Sequence, residues 1–179
     1  MRAVIVYESM FGNTHLIADA IAEGLAPGNE VTVVPVAQAG RELLDGADLV
    51  VAGGPTHIHG MSGARSREGA VEMAHKDGSQ LTLDPSAEGP GLRDWLAGLG
   101  QIHTRGAAFD TRLTGAPMLT GRASKTIAKL LARRGITLLS PAESFLVTKD
   151  NQLRPGERDR AGRWGRELAA LLPTTRSAG

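Results

Sequence analysis

The first segment of the chain constrains its fold most strongly. An apolar run, Ala3–Tyr7, is followed by a loop of small and hydroxyl-bearing residues, Ser9–Thr14, and then by a helical pattern. This order predicts a strand, a turn and the start of a helix, where free backbone N–H groups are available to an anion. The loop contains no Lys or Arg, so it differs from the nucleotide-binding loop that needs a lysine. A phosphate bound there would therefore be held by neutral donors and the helix dipole alone. The alternative is a strand–helix turn that binds no ligand.

Apolar and helical patterns alternate along the rest of the chain, which predicts a doubly wound α/β sheet. The predicted strands are Arg2–Tyr7, Glu30–Pro35, Leu49–Gly53, Arg105–Phe109 and a fifth strand in two pieces, Thr137–Leu139 and Ser144–Val147. The predicted helices are Asn13–Leu25, Arg41–Asp45, Arg65–Lys76, Leu92–Leu99, Arg122–Arg134 and Glu157–Leu172. Unusual loops follow the first, third and fourth predicted strands. Because the carboxyl ends of parallel strands share one edge of a sheet, we expect these loops to line one crevice.

Length and composition limit the class of protein. With 179 residues, the chain suits one domain over residues 1–172, followed by a loose tail, 173–179. No apolar window is long enough to span a membrane, and the first predicted strand begins too early for a signal peptide, which predicts a cytoplasmic protein. The chain contains no Cys, which excludes disulfides and Cys nucleophiles, and its net charge of +1 gives no basis for nucleic-acid binding.

A longer pattern in the first segment resembles the phosphate-binding signature of the flavodoxin family. It reads Ile-Val-Tyr-x-Ser-x-x-Gly-x-Thr from Ile5 to Thr14 and continues with Ala18 and Ile21. The resemblance implies a flavodoxin-like three-layer sandwich, a five-stranded parallel sheet in the order 2-1-3-4-5 with helices on both faces. It also implies a non-covalently bound FMN beyond the carboxyl ends of strands 1 and 3. The residues implied to bind the FMN phosphate are Ser9, Met10, Phe11, Gly12, Asn13 and Thr14.

The resemblance extends to the loop after the third predicted strand. The flavin contacts that it implies there are Pro55, Thr56, His57, Ile58, His59 and Gly60. His57 is expected against the face of the flavin ring, and His59 is expected near N1 or as a group that receives a proton. Two histidines without a local carboxylate are too few for a metal site, so we predict no metal.

The loop after the fourth predicted strand is similar to the third flavin loop of the family. Asp110 and the backbone of Thr111 and Arg112 are implied to lie near the pyrimidine ring. Phe109 is expected either to stack on the flavin or to end the core of its strand. Arg112 is expected either to pair with a negative charge on reduced flavin or a nicotinamide phosphate, or to be solvated as most arginines are.

The resemblance implies an electron-transfer flavoprotein or an FMN-dependent oxidoreductase, in which the flavin N5 carries the chemistry. Aromatic residues make up 3% of the chain, and the two later loops lack the Trp and Tyr pair of shuttling flavodoxins. The net charge is +1, whereas shuttling flavodoxins are strongly acidic. These departures favour the alternative, an NAD(P)H:quinone-type flavin reductase, although the overall resemblance favours a flavodoxin. The expected partners are FMN and either a redox protein or a NAD(P)H or quinone substrate.

Two further questions stay open in the sequence. Residues 61–90 are expected to be a solvated insertion, with a lid over the crevice or a homodimer contact as the alternatives. A serine hydrolase with Ser9 as its nucleophile is a rival of a different class. That rival needs a histidine base, and the sequence does not place one beside Ser9.

Overall fold

The chain folds around a parallel β-sheet. The computed structural model describes residues 1–57 and 60–172. Its strands are β1 (Arg2–Tyr7), β2 (Glu30–Pro35), β3 (Leu49–His57), β4 (Gly60–Met61), β5 (Arg105–Leu113), β6 (Thr137–Leu138) and β7 (Glu143–Val147). They follow the order β2-β1-β3-β5, after which β6 and β7 both pair with β5. The predicted order is confirmed, with β5 as the fourth strand and β6 and β7 as the two pieces of the fifth. The short β4 is an addition that pairs antiparallel with β3.

Helices cover both faces of the sheet. They are α1 (Asn13–Leu25), α2 (Arg41–Leu44), α3 (Ala64–His75), α4 (Leu92–Gly98), α5 (Pro117–Thr120), α6 (Ala123–Arg133) and α7 (Glu157–Ala170), with a 3₁₀ turn at Val36–Gln38. The predicted helices are confirmed to within two residues at each end. The short α5 lies in a stretch that we predicted as loop. None of the described helices has the length and apolar character needed to cross a membrane.

Two apolar cores form, one on each face of the sheet. On one face, Ile5 of β1 packs with Ile21 of α1 and Trp164 of α7. On the other face, Val6 of β1 belongs to the core that Ile127 of α6 joins. Every residue from Ala3 to Tyr7 is buried, as expected of a central parallel strand that is covered on both sides. The carboxyl end of β1 is therefore fixed in the middle of the sheet.

Glycines bring α1 and α7 into close contact. A side-chain carbon on Gly24 of α1 would overlap the carbonyl oxygen of Gly162, and one on Gly165 of α7 would overlap the carbonyl oxygen of Ile21. The two helices therefore pack backbone against backbone. This contact supports α1, whose first turn includes the end of the Ser9–Thr14 loop.

Two predicted strand ends are wrong. We expected β3 to end at Gly53 and β5 at Phe109, but β3 continues to His57 and β5 to Leu113. The extensions pair with each other, since Gly53 lies opposite Phe109, and the parallel register continues to Pro55 opposite Thr111. Their backbone hydrogen bonds come from this pairing, which the local sequence of either segment does not show. The predicted loop residues 54–57 and 110–112 therefore lie on strands.

Candidate functional site

The loop between β1 and α1 leaves backbone amides free. Gly12 precedes the first residue of α1 and has φ 86° and ψ −21°, a left-handed conformation that suits glycine. Its N–H donates to Ser9 Oγ at 3.1 Å, and its carbonyl accepts from the Leu16 N–H at 2.9 Å. The Leu16 N–H is the first to find an acceptor within the helix, so the backbone N–H groups of residues 13–15 have no helical acceptor. Within the described part of the chain, no N-cap side chain accepts from them either. A side-chain carbon on Gly12 would meet no described atom within 4 Å, so the space beside this glycine is open.

Contacts from two other strand ends fix this loop. Thr14 Oγ1 of α1 lies 2.7 Å from Thr111 Oγ1 of β5, and both threonines are buried. Asn13 Nδ2 donates to the carbonyl oxygen and to Oδ1 of Asn151, at 3.0 and 3.1 Å, in the segment after β7. The carboxyl ends of β1, β5 and β7 thus meet at one place, as the sheet topology requires.

The segment around Asp84 closes the other side of the loop. The Asp84 N–H donates to the carbonyl oxygen of Met10 at 2.8 Å. The Asp84 carboxylate lies 3.1 Å from His15 Nδ1, and the His15 ring stacks on Tyr7 with 4.4 Å between ring centroids. Burial, together with the negative charge of Asp84, raises the pKa of Tyr7 to about 12. The loop is therefore held by a partly buried polar cluster as well as by the sheet.

A cavity of about 560 Å³ opens beside this loop. The predicted site residues that line it are Ser9, Met10, Phe11, Asn13, Thr14, Pro55, Thr56, His57, Thr111 and Arg112. The predicted residues Gly12, Gly60, Phe109 and Asp110 are not in its wall, within the residues that the structure describes. Ile58 and His59 lie outside the described residues. The structure therefore brings parts of all three predicted loops to one cavity.

Phe109 lies in the core and is unavailable for stacking on a ligand in this cavity. Its side chain is 0% exposed and belongs to the core between the sheet, α1 and α7. It packs edge-on against Phe145 and Trp164, with ring centroids 6.2 and 6.5 Å away, and a side-chain carbon on Gly53 would overlap its ring. Of the two alternatives from the sequence, the core position is the one that the structure shows.

Asp110 and Thr56 cap the start of α6. Asp110 Oδ2 accepts a hydrogen bond from the Ser124 N–H at 2.7 Å, and Thr56 Oγ1 accepts one from the Ala123 N–H at 3.0 Å. Both amides belong to the first turn of the helix, where no helical acceptor is available. Asp110 is 0% exposed, so its carboxylate serves the fold and does not reach the cavity. Thr56 also caps the helix, but it stays in the cavity wall.

Arg112 is a buried cation in the cavity wall. Its side chain is 9% exposed, and Nη1 donates to the carbonyl oxygens of Leu113 and Gly115 and to Thr120 Oγ1, at 3.2, 2.9 and 2.9 Å. Nε is buried and has no hydrogen-bond partner among the described residues. The expectation of a solvated arginine is therefore wrong, because the 113–120 segment folds over the guanidinium.

His57 reaches the cavity from the end of β3. Burial lowers the pKa of His57 below its usual value, and Glu8 opposes this shift while Arg67 adds to it. Glu8 is itself buried and accepts hydrogen bonds from the Ser62 hydroxyl and, at 2.7 Å, from the Leu92 N–H at the start of α4. A lowered pKa keeps the His57 imidazole neutral at pH 7.

The charged side chains of the cavity wall are all basic within the described residues. They are Arg112, which is buried, and Arg65 and Lys149, which are exposed. Neither Asp nor Glu is found in the described part of the wall. The cavity is therefore suited to an anionic ligand.

Two further segments, one after β7 and one within residues 61–90, complete the wall of the cavity. After β7, the wall is formed by Val147, Thr148, Lys149 and Asn151, and none of these carried a recognisable motif. The 61–90 segment contributes Arg65, Ser66, Gly69, Ala70, Met73 and Leu81. A solvated insertion was the favoured expectation for this segment. In α3, Ala70 is the only buried residue, and one face of this helix forms a wall of the cavity. The small residues on one face of α3 were the available signal.

The sequence matches the flavodoxin family over residues 5–109. The chain belongs to the flavodoxin family. Solved structures show the same fold at low sequence identity. A flavodoxin from the domain Archaea is 21% identical with a TM-score of 0.64, over 95% of this chain and 97% of its own. Oxidised flavodoxin 1 from Bacillus cereus is 19% identical with a TM-score of 0.65, over 97% and 100%. Rubredoxin oxygen:oxidoreductase from Desulfovibrio gigas is 19% identical with a TM-score of 0.62, over 95% and 36%. No curated protein matches the chain significantly in sequence.

A metal site and a serine hydrolase site find no support in the described residues. Across residues 1–57 and 60–172, no three His, Asp or Glu side chains are grouped so that they could hold a metal ion. The hydrogen bond recorded for Ser9 Oγ is the one from the Gly12 N–H. His15, the histidine nearest to this serine in the chain, contacts Asp84 and Tyr7. No observation therefore favours the hydrolase.

Proposed function

We propose that this chain binds FMN non-covalently in the cavity beside the Ser9–Thr14 loop and functions in electron transfer. One observation carries the proposal, namely the free amides of residues 13–15 beside the open space at Gly12. An anion is stabilised at such a helix start by the N–H groups and the helix dipole. Members of the flavodoxin family bind FMN. When bound, FMN supplies the electron-accepting and electron-donating chemistry.

The residues present fit FMN. The proposed phosphate site has neutral donors only, whereas the rest of the cavity wall offers the positively charged Arg112 and the strand end Pro55–His57. Among the described residues of the wall, the only aromatic rings are Phe11 and the imidazole of His57. An aromatic contact contributes about 0.5–1.5 kcal/mol beyond burial, so this chain is expected to hold the flavin ring less tightly than a Trp and Tyr pair would.

An FMN titration of the purified protein, followed by quenching of flavin fluorescence, tests the proposal. Riboflavin is the control because it lacks the phosphate. Two charge-assisted hydrogen bonds to the phosphate are worth roughly 3 kcal/mol, so FMN is expected to bind about 100-fold more tightly than riboflavin. Equal affinities would place the phosphate outside the loop, and no binding at micromolar FMN would refute the proposal.

A pair of matched glycine variants tests the phosphate position. Gly12 and Gly28 both have positive φ, 86° and 76°, and an added carbon meets no described atom within 4 Å at either position. Gly12→Ala and Gly28→Ala are thus expected to carry similar backbone strain. Only the first puts a methyl group where the phosphate is proposed to bind, so G12A is expected to weaken FMN binding by about tenfold or more. G28A is expected to bind FMN like the wild type, and equal losses in both variants would contradict the assignment.

The electron donor and the electron acceptor remain predictions. An NAD(P)H:quinone-type reductase is tested by the loss of NAD(P)H absorbance when FMN-loaded protein is mixed with a quinone. No consumption would favour a shuttle between redox proteins. The single domain over residues 1–172, the homodimer and the cytoplasmic location also remain predictions.

A further inference from the structure

Arg112 carries a positive charge that forms no ion pair within the described part of the protein. None of the ion pairs found among the described residues includes Arg112. The acceptors of its Nη1 are two carbonyl oxygens and a hydroxyl, which are neutral. A buried cation with neutral partners is costly unless a negative charge nearby compensates it. Since Arg112 lines the cavity, the compensating group is expected there.

The strand geometry separates Arg112 from the proposed phosphate position. Successive side chains of a strand point to opposite faces of the sheet. Thr111 of β5 points toward α1, where its hydroxyl contacts Thr14 at 2.7 Å. Arg112 therefore points to the other face, where it contacts Thr120 of α5. The positive charge of Arg112 is therefore expected to act on a part of the ligand other than its phosphate.

We propose that Arg112 contacts the flavin ring of bound FMN at its N1–C2=O edge and favours the reduced, anionic form. The inference rests on the proposed function, because it requires FMN in the cavity. Two-electron reduction with uptake of one proton at N5 leaves a negative charge on this edge of the ring. A cation held in a buried wall favours that charged form, because the protein is already organised around it. Arg112 is thus a residue that sets the redox potential of the cofactor.

The test measures two quantities for the FMN-loaded protein under anaerobic conditions. They are the dissociation constant of oxidised FMN and the two-electron midpoint potential, with dithionite as reductant and an indicator dye of known potential. The variants are Arg112→Gln, which removes the charge, and Arg112→Lys, which keeps it. Lys149→Gln removes an exposed cation from the same cavity wall and serves as the matched control.

In the wild-type protein, the two-electron midpoint potential of bound FMN is expected to be no lower than that of free FMN. Reduction of the bound FMN is expected to take up one proton at pH 7. In R112Q, reduced FMN is expected to bind at least tenfold more weakly relative to oxidised FMN, which corresponds to a fall of about 30 mV in the two-electron potential. R112K is expected to keep part of the wild-type potential, and K149Q is expected to change it less than R112Q does.

Three results would overturn the inference. One is a wild-type potential far below that of free FMN, which is measurable even if the Arg112 variants fail to fold. Another is an R112Q potential equal to that of the wild type. The third is an R112Q variant that loses affinity for FMN but not for riboflavin, because Arg112 would then act on the phosphate. Absence of FMN binding to the wild type is a different failure, since it refutes the proposed function together with this inference.

Discussion

Replacing Gly165 of α7 with Ala is expected to give a less stable protein than the same replacement at Gly162, one turn earlier on the helix. A side-chain carbon at position 165 would overlap the carbonyl oxygen of Ile21 and lie 3.2 Å from the Cα of Gly24. These are backbone atoms of α1, so no side-chain rotation relieves the overlap. At position 162 the nearest atom is the carbonyl oxygen of Ala20 at 3.5 Å, an ordinary contact.

The magnitude follows from two contributions. Ala favours a helix over Gly by about 0.8–1 kcal/mol at either position, so this contribution cancels when the two variants are compared. What remains is the overpacking at residue 165, which costs about 1–3 kcal/mol. We expect the upper part of this range, because the rigid α1 backbone must move. For a chain of this size, each kcal/mol corresponds to roughly 2–4 °C in Tm.

Urea unfolding of both variants, followed by circular dichroism, measures the difference. Equal slopes of unfolding free energy against urea concentration would show that both variants expose the same amount of surface when they unfold. G162A is expected to match or exceed the wild type in stability. If G165A is as stable as G162A, the backbone contact between α1 and α7 is not present, and the support proposed for the phosphate loop is lost with it.

Three further predictions concern side chains around the site. Tyr7 is the only tyrosine, so ultraviolet titration of the folded protein is expected to show a midpoint of about 12. Because the pKa of Tyr7 is raised on folding, its contribution to stability is present below about pH 10 and is lost as the pH rises to about 12. Burial lowers the pKa of His57, so in urea unfolding at different pH values stability is expected to fall below about pH 6.5, where the unfolded state takes up the proton. His57→Gln is expected to remove that part of the pH dependence. Asp110→Ala leaves the buried Ser124 N–H without its acceptor and is expected to cost about 1–3 kcal/mol in urea unfolding, whereas Asp110→Asn keeps an oxygen and is expected to cost less.

Each of these three predictions has its own contradicting result. For Tyr7, it is a midpoint near 10 while the protein is still folded. For His57, it is a glutamine variant whose stability changes with pH as the wild type does. For Asp110, it is an alanine variant as stable as the asparagine variant.

The sequence predicted the element order and the first site segment well. The helix Asn13–Leu25 begins and ends where the pattern places it, and the strand Arg2–Tyr7 does the same. Both rest on local signals, namely an apolar run, a loop of small residues and a helical repeat. The split of the last strand into two pieces, Thr137–Leu139 and Ser144–Val147, was also predicted from its apolar pattern.

The sequence determined the succession of helices and strands and the loop proposed to bind a phosphate, because those features depend on neighbours in the chain. The order of the strands in the sheet was implied by the family resemblance. The tertiary structure decided the rest of the site. Pairing between β3 and β5 turned predicted loops into strands and sent alternate side chains to opposite faces. Phe109 and Asp110 thereby became parts of the fold, and Arg112 became a buried cation in the cavity wall. No local pattern distinguishes these outcomes, since they depend on residues far away in the chain that reach the same edge of the sheet.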